Sequence, residues 1–226
     1  MILGILSDSH GRHRRTARAI RLLQDLGAEV LVHCGDLGGK AVLNELTGRR
    51  VWFVWGNTDV ARPLLSRYAQ QLGLAVPEGI PLCLELAGRS IAVFHGHEPQ
   101  FTSLARLIQS ERIAEFETLV ETLVRESPLV RAFLPAPQDR GIDATARIDA
   151  RARIPPRTAR CYILFGHSHR PADLRVGRVR LINPGALDRA RPHTVATLDL
   201  KRDLVRFWQV DDKAAEADPP RRFKPH

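Results

Sequence analysis

The first 73 residues alternate between strand-like and helix-like stretches, and this alternation restricts the fold more than any other feature of the chain. Short apolar runs at 2–6, 29–34 and 50–55 predict strands. The segments with helical spacing are 12–27, 40–48 and 61–73. A βαβαβα order predicts parallel strands joined by right-handed crossovers, and hence an α/β fold.

The pattern changes after the third helix. Apolar runs at 81–86 and 90–94 are joined across the letters AGR, which predicts a hairpin. Further strands are predicted at 161–165, 178–182, 194–200 and 204–210. The last two flank KRD and predict a second hairpin. We therefore predict one domain over residues 1–212, with a helical and loop insertion at about 98–160, followed by a disordered tail at 213–226.

The insertion combines two kinds of sequence. Residues 101–134 have helical periodicity, and residues 135–160 are polar, rich in arginine and bounded by prolines. The insertion has two alternative roles. It can cap a site, with arginines such as Arg106 or Arg112 meeting a phosphate, or it can cover a sheet edge or form a dimer contact as an amphipathic helix.

A polar motif follows each of five predicted strands. These motifs are SDSHG with Asp8 and His10, GD with Asp36, GNTD with Asn57 and Asp59, HGH with His95 and His97, and GHSH with His167 and His169. In open α/β sheets, ligands bind in the crevice beyond the carboxyl ends of the strands. If the five strands are neighbours, these side chains converge on one place.

A cluster of carboxylates and imidazoles is costly to pack together without a cation. Its oxygen and nitrogen donors suit manganese, iron, zinc or nickel ions better than calcium. Seven ligands exceed what one ion needs if a position stays open for substrate, whereas two ions bridged by one carboxylate fit the number. Polar loops without metal are the alternative, but five such motifs in order, each at a strand end, favour the metal site.

The ordered set D-x-H, GD, GN-x-D, HGH and GHSH resembles that of the calcineurin-like metallophosphoesterase superfamily, especially its small bacterial and archaeal phosphodiesterases. NPGA at 183–186 resembles the closing motif of that branch. The resemblance runs from residue 1 to about 210, apart from the insertion. It implies a four-layer α/β/β/α sandwich of two mixed β-sheets flanked by helices.

The resemblance also implies two divalent metal ions, with manganese favoured and nickel, zinc or iron as alternatives. The first ion would be held by Asp8, His10, Asp36 and His169, and the second by Asp36, Asn57, His95 and His167. Asp36 would bridge them. If GHSH is extended, its two histidines point the same way and each can face one ion.

The implied reaction is phosphodiester hydrolysis by a hydroxide that bridges the metals, with the Asn57 amide stabilising the developing charge. Many members of the superfamily have a histidine where this chain has Thr58, a poor acid, so diesters are favoured over alkyl monoesters. His97 is a candidate proton donor or pocket residue, with a structural role as the alternative. Arg12 and Arg170 are candidate substrate-binding residues because they adjoin the motifs, and Asp59 is expected to orient its own loop.

Two other functions remain open. A nuclease or a dinucleoside-polyphosphate hydrolase would use the same site, and a nuclease would lose affinity steeply with salt. A non-catalytic protein-binding scaffold is the rival from a different class, since one trafficking-coat subunit resembles this fold and has an impaired site. The chain keeps a competent residue at all seven ligand positions, which favours an enzyme.

Composition limits the partners only broadly. The formal net charge of +9 is carried almost wholly by arginine, spread along the chain, so the substrate is expected to be a phosphate-ester small molecule or a nucleotide. Nucleic acid is not favoured, and a homo-oligomer remains open. No apolar run approaches the roughly 20 residues of a membrane span. The start lacks the basic segment of a signal peptide, so no membrane association and a cytoplasmic location are expected.

Overall fold

The computed structural model describes residues 1–99, 101, 161–176, 179–211 and 222–223. These ranges contain three helices, α1 (His13–Asp25), α2 (Lys40–Leu46) and α3 (Arg62–Gln71). The strands of the first half are β1 (Ile2–Leu6), β2 (Val30–His33), β3 (Val51–Phe53), β4 (Leu82–Leu86) and β5 (Arg89–Val93). Those that follow are β6 (Cys161–Leu164), β7 (Ala172–Val176), β8 (Val179–Asn183), β9 (Thr194–Asp199), β10 (Leu204–Gln209) and β11 (Arg222–Phe223).

The strands form two mixed sheets. One has six strands in the order β11-β10-β9-β1-β2-β3, and the other has five in the order β4-β5-β6-β8-β7. Strands β1, β2 and β3 pair in parallel, as do β5, β6 and β8. The other strands, β4, β7, β9, β10 and β11, pair in antiparallel orientation. Both predicted hairpins, β4–β5 and β9–β10, are present.

Side chains point alternately to the two faces of each sheet, and the apolar ones form three buried layers. Leu3 and Ile5 of β1 pack between the sheets with residues such as Val93 and Leu164 of the second sheet. The other face of the six-stranded sheet packs against all three helices. Phe94 and neighbouring apolar residues cover the outer face of the five-stranded sheet. Both sheets are therefore buried on both faces, which explains why the parallel strands are almost wholly apolar.

The predicted α/β fold with two mixed sheets is confirmed. Two strands were missed: β7, whose letters ADLRV alternate apolar and polar residues at a sheet edge, and the short β11. Strand β11 pairs with β10, which the prediction of a disordered tail did not anticipate. The other residues of that tail lie outside the described ranges.

The three described helices lie on the six-stranded sheet. The predicted helix at 101–134 and the polar segment at 135–160 fall, apart from Phe101, outside the described residues. Phe101 itself is buried and stacks on Phe94 with ring centroids 3.6 Å apart. None of the helices in the described ranges has the length and apolarity that a bilayer crossing requires.

Candidate metal centre

Six parallel strands end at one edge of the two packed sheets, and the predicted motifs follow five of them. Strands β1, β2 and β3 carry the motifs of Asp8, Asp36 and Asn57 from one sheet. Strands β5 and β6 carry those of His95 and His167 from the other. The five strands are therefore not neighbours in a single sheet. Their polar ends meet because the two sheets stack with these ends on the same side.

Asp8 lies at the middle of the cluster and is fully buried. Its Oδ1 has no hydrogen-bond partner in the described part of the chain, yet three imidazole Nε2 atoms surround it. They belong to His169 at 3.1 Å, His10 at 3.8 Å and His95 at 3.9 Å. Its Oδ2 accepts a hydrogen bond from the backbone N–H of His167 at 3.1 Å. A buried carboxylate oxygen facing three ring nitrogens is a setting that a cation would satisfy.

Asp36 is the second buried carboxylate. Its Oδ2 lies 3.4 Å from Nε2 of His95 and 3.6 Å from Nε2 of His10, so it stands between the two histidines. Its Oδ1 accepts a hydrogen bond from the backbone N–H of Thr58 at 2.8 Å, which fixes the orientation of the carboxylate. One oxygen of Asp36 therefore faces His10 and His95, and the other is fixed by the backbone.

The remaining predicted ligands surround His95. The Oδ1 atom of Asn57 is 3.1 Å from Nε2 of His95, and the rings of His95 and His167 are 5.1 Å apart between centroids. Nδ1 of His95 is 2.8 Å from the carbonyl oxygen of Cys34, which directs Nε2 towards the carboxylates. His97 is farther out, with its ring 5.4 Å from that of His95 and 6.3 Å from that of His167.

The separations between donor atoms fit a metal site. Two ligand atoms that bind one ion at about 2.1 Å lie roughly 3.0–3.4 Å apart in octahedral or tetrahedral geometry. The observed separations run from 3.1 Å for His169 and Asp8 to 3.9 Å for His95 and Asp8. Two sets of three donors lie within 4.8 Å of one another: Asp8, His10 and His169, and Asp8, Asp36 and His95. The residues present therefore fit divalent cations. Asp8 belongs to both sets, and Oδ2 of Asp36, from the second set, lies 3.6 Å from Nε2 of His10 in the first.

The backbone at these positions is strained. Asp8, His10, Asp36, His167 and His169 all have left-handed φ values, between 41° and 64°. Non-glycine residues adopt this region rarely and at a cost, and such strain concentrates at functional sites. The expectation of an extended GHSH stretch is therefore wrong: Ser168 N–H bonds Gly166 O at 2.7 Å, forming a tight turn that brings both histidines inward.

Glycines allow the motif loops to contact one another closely, because they have no side chain. A Cβ at Gly166 would lie 2.0 Å from Oγ of Ser7 and 2.7 Å from Oδ2 of Asp8. A Cβ at Gly56 would lie 2.0 Å from Oδ1 of Asp36. Gly35 is similar, since its Cβ would meet the ring of His95. Only glycine allows these loops, within one sheet or between the two, to approach this closely.

The electrostatics of the cluster couple the carboxylates to the histidines. Burial acts to raise the pKa of Asp8, but His169 and His95 outweigh it and lower the pKa below its usual value. Burial acts in the same direction on Asp36, and His95 and the Thr58 N–H likewise lower its pKa. Burial disfavours a charge on His95, but Asp36 and Asp8 raise the pKa of His95 to about 9. Carboxylates held ionised at neutral pH are ready to bind cations.

Three polar side chains outside the ligand set hold the motif loops in place. Asp59 accepts hydrogen bonds from the N–H groups of Leu37, Gly38 and Gly56, at 2.8–3.2 Å. Glu98 accepts from the N–H groups of His95 and Gly96, and Asn183 donates to Gly166 O and lies 3.0 Å from Ser168 Oγ. Asp59 therefore orients its loop as expected. Glu98 was missed, because nothing in the sequence separates it from the insertion.

A buried histidine lies behind the first motif. His33 is fully buried, its Nδ1 accepts the N–H of Gly35 at 3.2 Å, and its Nε2 lies 2.8 Å from Oγ of Ser9. Ser9 separates Asp8 from His10, so this contact anchors the strained loop. Burial lowers the pKa of His33 to about 4, which keeps its ring neutral.

The predicted substrate-binding arginines lie at the rim. The side chain of Arg12 is 60% exposed and its Nε donates to Oδ1 of Asp188 at 3.0 Å; Arg170 is exposed as well. Arg189, which sequence reasoning missed, also lies near the centre. Burial lowers the pKa of His10 and outweighs Asp36 and Asp8, which act to raise it. The positive charge of Arg189 lowers the pKa further. Its proximity to NPGA was the available signal.

Comparison with known proteins identifies the family. The calcineurin-like phosphoesterase superfamily domain matches residues 1–120 and 141–203, which is more than half of the chain. The chain belongs to this superfamily. Phosphodiesterase MJ0936 of Methanocaldococcus jannaschii is 24% identical over 107 residues, which cover 46% of this chain and 64% of that protein. The match thus spans less than two thirds of the length of that relative.

Solved structures share the fold of this calcineurin-like chain. An archaeal phosphodiesterase has a TM-score of 0.61 at 19% identity, covering 92% of this chain and 98% of its own. TT1561 of Thermus thermophilus has a TM-score of 0.56 at 13% identity, with 93% and 99% covered. The phosphoesterase Yfce of E. coli has a TM-score of 0.50 at 20% identity, with 93% and 100% covered. At these identities the likeness concerns the fold.

Proposed function

We propose that the chain is a phosphodiesterase that uses two divalent metal ions. The observation that carries this proposal is the convergence of three imidazole nitrogens on Oδ1 of the buried Asp8, with Asp36 beside it. Family membership and a relative named as a phosphodiesterase support the reaction class. The scaffold alternative is less favoured, because a competent donor occupies each of the seven ligand positions.

The proposed first ion is held by Asp8, His10, Asp36 and His169, and the second by Asp36, Asn57, His95 and His167. Asp36 is the proposed bridge because His10, a ligand of the first ion, and His95, a ligand of the second, lie 3.6 and 3.4 Å from its Oδ2. Asp8 is the less favoured bridge. Its Oδ1 lies 3.1 Å from Nε2 of His169, a ligand of the first ion, but 3.9 Å from Nε2 of His95, a ligand of the second.

Two divalent cations bound here would polarise the phosphoryl group and make water a stronger nucleophile at neutral pH. The chain itself arranges the reaction. Asp36, oriented by the Thr58 N–H, and His95, oriented by Cys34 O, hold their donors at fixed positions. Asn57 is exposed beside His95, where its amide can donate a hydrogen bond to a phosphoryl oxygen as negative charge develops.

The proposed substrates are diesters with good leaving groups. Oγ1 of Thr58 lies 3.4 Å from Nδ1 of His10, at the position where many relatives have a histidine, and a hydroxyl is a poor general acid. His97, half-buried near His95 and His167, remains the candidate proton donor. Arg12 and Arg170 remain candidate substrate contacts. An oligonucleotide substrate stays an alternative that a steep salt dependence of binding would reveal.

The decisive experiment combines metal analysis with paired substrates. Purified protein, reloaded with Mn²⁺, Ni²⁺ or Zn²⁺ after chelation, is assayed on bis-p-nitrophenyl phosphate and on p-nitrophenyl phosphate. We expect about two ions per chain and preferential hydrolysis of the diester. Turnover of the monoester but not the diester would contradict the substrate class, and the most active ion tests the preference for manganese.

The variant Asp36→Asn tests the bridge. It keeps the size of the side chain but removes its charge, so we expect fewer than two bound ions. Activity should fall by more than the ~10–100-fold typical of residues that only support a ligand. Asp25→Asn, at an exposed position at the end of α1, is the matched control and should change neither quantity. Full activity in Asp36→Asn would rule out the bridging assignment.

A further inference from the structure

A cleft lined by arginines adjoins the metal centre. It has a volume of ≈ 390 Å³, and Arg12, Arg15, Arg189 and Arg191 line it together with Asp188 and His193. Four arginines and one aspartate therefore line the cleft. No residue of this cleft other than Arg12 is part of the proposed metal site or its substrate contacts.

The two walls of the cleft are attached to the loop that carries Asp8 and His10. Arg12 follows His10 by two residues, so their Cα atoms are at most about 7 Å apart. On the other wall, the N–H of Leu187 donates to the carbonyl oxygen of Ser7 at 3.2 Å. Ser7 directly precedes Asp8. Both walls of the cleft are therefore fixed to the loop that carries two of the predicted metal ligands.

Asp188 organises one side of the cleft without neutralising it. Its Oδ1 accepts from Nε of Arg12 at 3.0 Å and lies 3.6 Å from Nη1 of Arg15, which also donates to Leu187 O. The bond from Arg12 uses Nε, and no hydrogen bond of its two terminal nitrogens is found among the described residues. Asp188 thus holds two arginines in place and leaves the cleft positively charged.

The opposite side is formed by the segment after NPGA. Arg189 and Arg191 are both exposed, and no ion pair of either guanidinium is found within the described ranges. Arg189 also has a left-handed φ of 62°, so the chain tolerates an unfavourable backbone at this arginine. Arginine forks of this kind suit the bidentate recognition of phosphate.

We propose that Arg12, Arg189 and Arg191 form a subsite for a second phosphate group of the substrate, separate from the phosphate that is hydrolysed. This inference rests on the proposed phosphodiesterase function and narrows its substrate class. The favoured substrates are nucleotide-like diesters that carry a further phosphate, on the sugar or in a polyphosphate chain. Simple diesters would bind through the metal centre alone.

The kinetic test uses two chromogenic esters that differ by one phosphate. Thymidine 5′-(p-nitrophenyl phosphate) and its 3′-phosphorylated counterpart share the scissile bond and the leaving group. For the wild-type protein we expect kcat/KM to be about tenfold higher for the 3′-phosphorylated ester, as for one added charge-assisted contact. The double variant Arg189→Ala/Arg191→Ala should bring the ratio close to one.

Arg202→Ala is the matched control, because Arg202 is an exposed arginine in the turn between β9 and β10 and should keep the wild-type ratio. No preference in the wild-type protein, or an equal loss for both esters in the double variant, would overturn the subsite. Diadenosine tetraphosphate against diadenosine diphosphate forms a second pair. A preference in this second pair that the double variant abolishes would show that the subsite also accepts a phosphate of a polyphosphate chain.

Binding to chelator-treated protein separates this inference from the proposed function. Calorimetry compares thymidine 3′,5′-bisphosphate with thymidine 5′-monophosphate in the absence of metal. We expect about tenfold tighter binding of the bisphosphate, lost in the double variant. Equal affinities in the wild-type protein would overturn the subsite. If no ester is hydrolysed with any metal but the binding difference is present, the reaction class is wrong and the anion subsite stands.

Discussion

Residues of the metal centre are held in conformations that their side chains disfavour. Five of the predicted ligands have a left-handed backbone, although none of them is glycine. Gly56 and Gly166 are positions where only glycine fits, because a Cβ there would collide with the carboxylates of Asp36 and Asp8. The strain is offset by the surrounding hydrogen bonds, and it turns donor groups from separate loops towards one point.

Gly166→Ala should disrupt the centre without a change in charge. The new Cβ would lie 2.0 Å from Oγ of Ser7 and 3.1 Å from the carbonyl oxygen of Cys34, so the β6 loop must move away from β1. We expect metal affinity to fall by ~10–100-fold, as when a supporting contact is lost. Gly79→Ala is the control, because no atom lies within 4 Å of its added Cβ. Equal metal affinities of the two variants, measured by calorimetry, would contradict this account.

His95 should make the metal-free protein less stable at alkaline pH. Its pKa is raised from 6.5 to about 9, so the folded state favours the protonated ring. The stabilisation is therefore complete below pH 6.5 and is lost as the pH rises through about 9. His10, His33 and His167 have lowered pKa values, so their effect on stability has the opposite sign and falls at the acid end of this window.

Urea unfolding of chelator-treated protein between pH 6.5 and 9.5 checks this expectation. The free energy of unfolding should decrease by roughly 1–3 kcal/mol across the window. His95→Gln cannot titrate, so its free energy of unfolding should vary less with pH, whatever its absolute stability. Parallel pH profiles for the two proteins would show that His95 does not carry the effect.

Polar side chains from outside the ligand set hold three of the loops that follow the strands. Asp59 holds the GD loop, Glu98 the HGH loop and Asn183 the GHSH loop. These side chains pair backbone groups that the tight turns leave without partners in the sheets. The positions of the predicted ligands in these loops therefore depend on residues that are not ligands.

Asp59→Asn tests this dependence. An amide can accept on one oxygen only, so the variant must lose part of the set of three N–H bonds from Leu37, Gly38 and Gly56. We expect metal affinity to fall by ~10–100-fold. Asp199→Asn is a close control, because Asp199 also accepts two backbone N–H groups, in the β9–β10 turn. If both variants bind metal as the wild-type protein does, Asp59 has no positioning role.

The two sheets are also joined at a second place, by a charged network around Arg180. This buried arginine of β8 donates to both carboxylate oxygens of Asp173 at 2.7 Å and to Oδ1 of Asp203 at 2.7 Å. Tyr162 of β6 donates to the same Asp203 oxygen at 3.0 Å. Asp203 lies in the β9–β10 turn of the other sheet, so the network links both sheets of the molecule.

Removal of Arg180 should destabilise the whole molecule. Arg180→Met leaves Asp173 without a guanidinium partner and Asp203 with that of Arg175 alone, and breaking a buried pair such as Arg180–Asp173 costs about 3–5 kcal/mol. Tyr162→Phe, a milder change, should cost about 0.5–1.5 kcal/mol. Arg202→Ala, whose exposed pair with Asp199 is worth little, should stay within about 0.5 kcal/mol. Denaturant unfolding ranks the three, and a different order would contradict the network's role.

The sequence alone determined the α/β order, both hairpins and the residues of the candidate site, because each of these is written in local patterns. Apolar runs followed by Asp, Asn or His can be read one strand at a time. Strand β7 lies at an edge and carries a shorter, half-polar pattern, which is why it was missed.

The tertiary structure decided the features that depend on contacts between segments far apart in the chain. Only the stacking of two sheets brought Asp8 and Asp36 from one sheet to His95 from the other. The left-handed turn of GHSH, the anchoring role of Glu98 and the arginine cleft around Asp188 have no local signature. They arise from contacts between residues far apart in the chain, which no single stretch of sequence encodes.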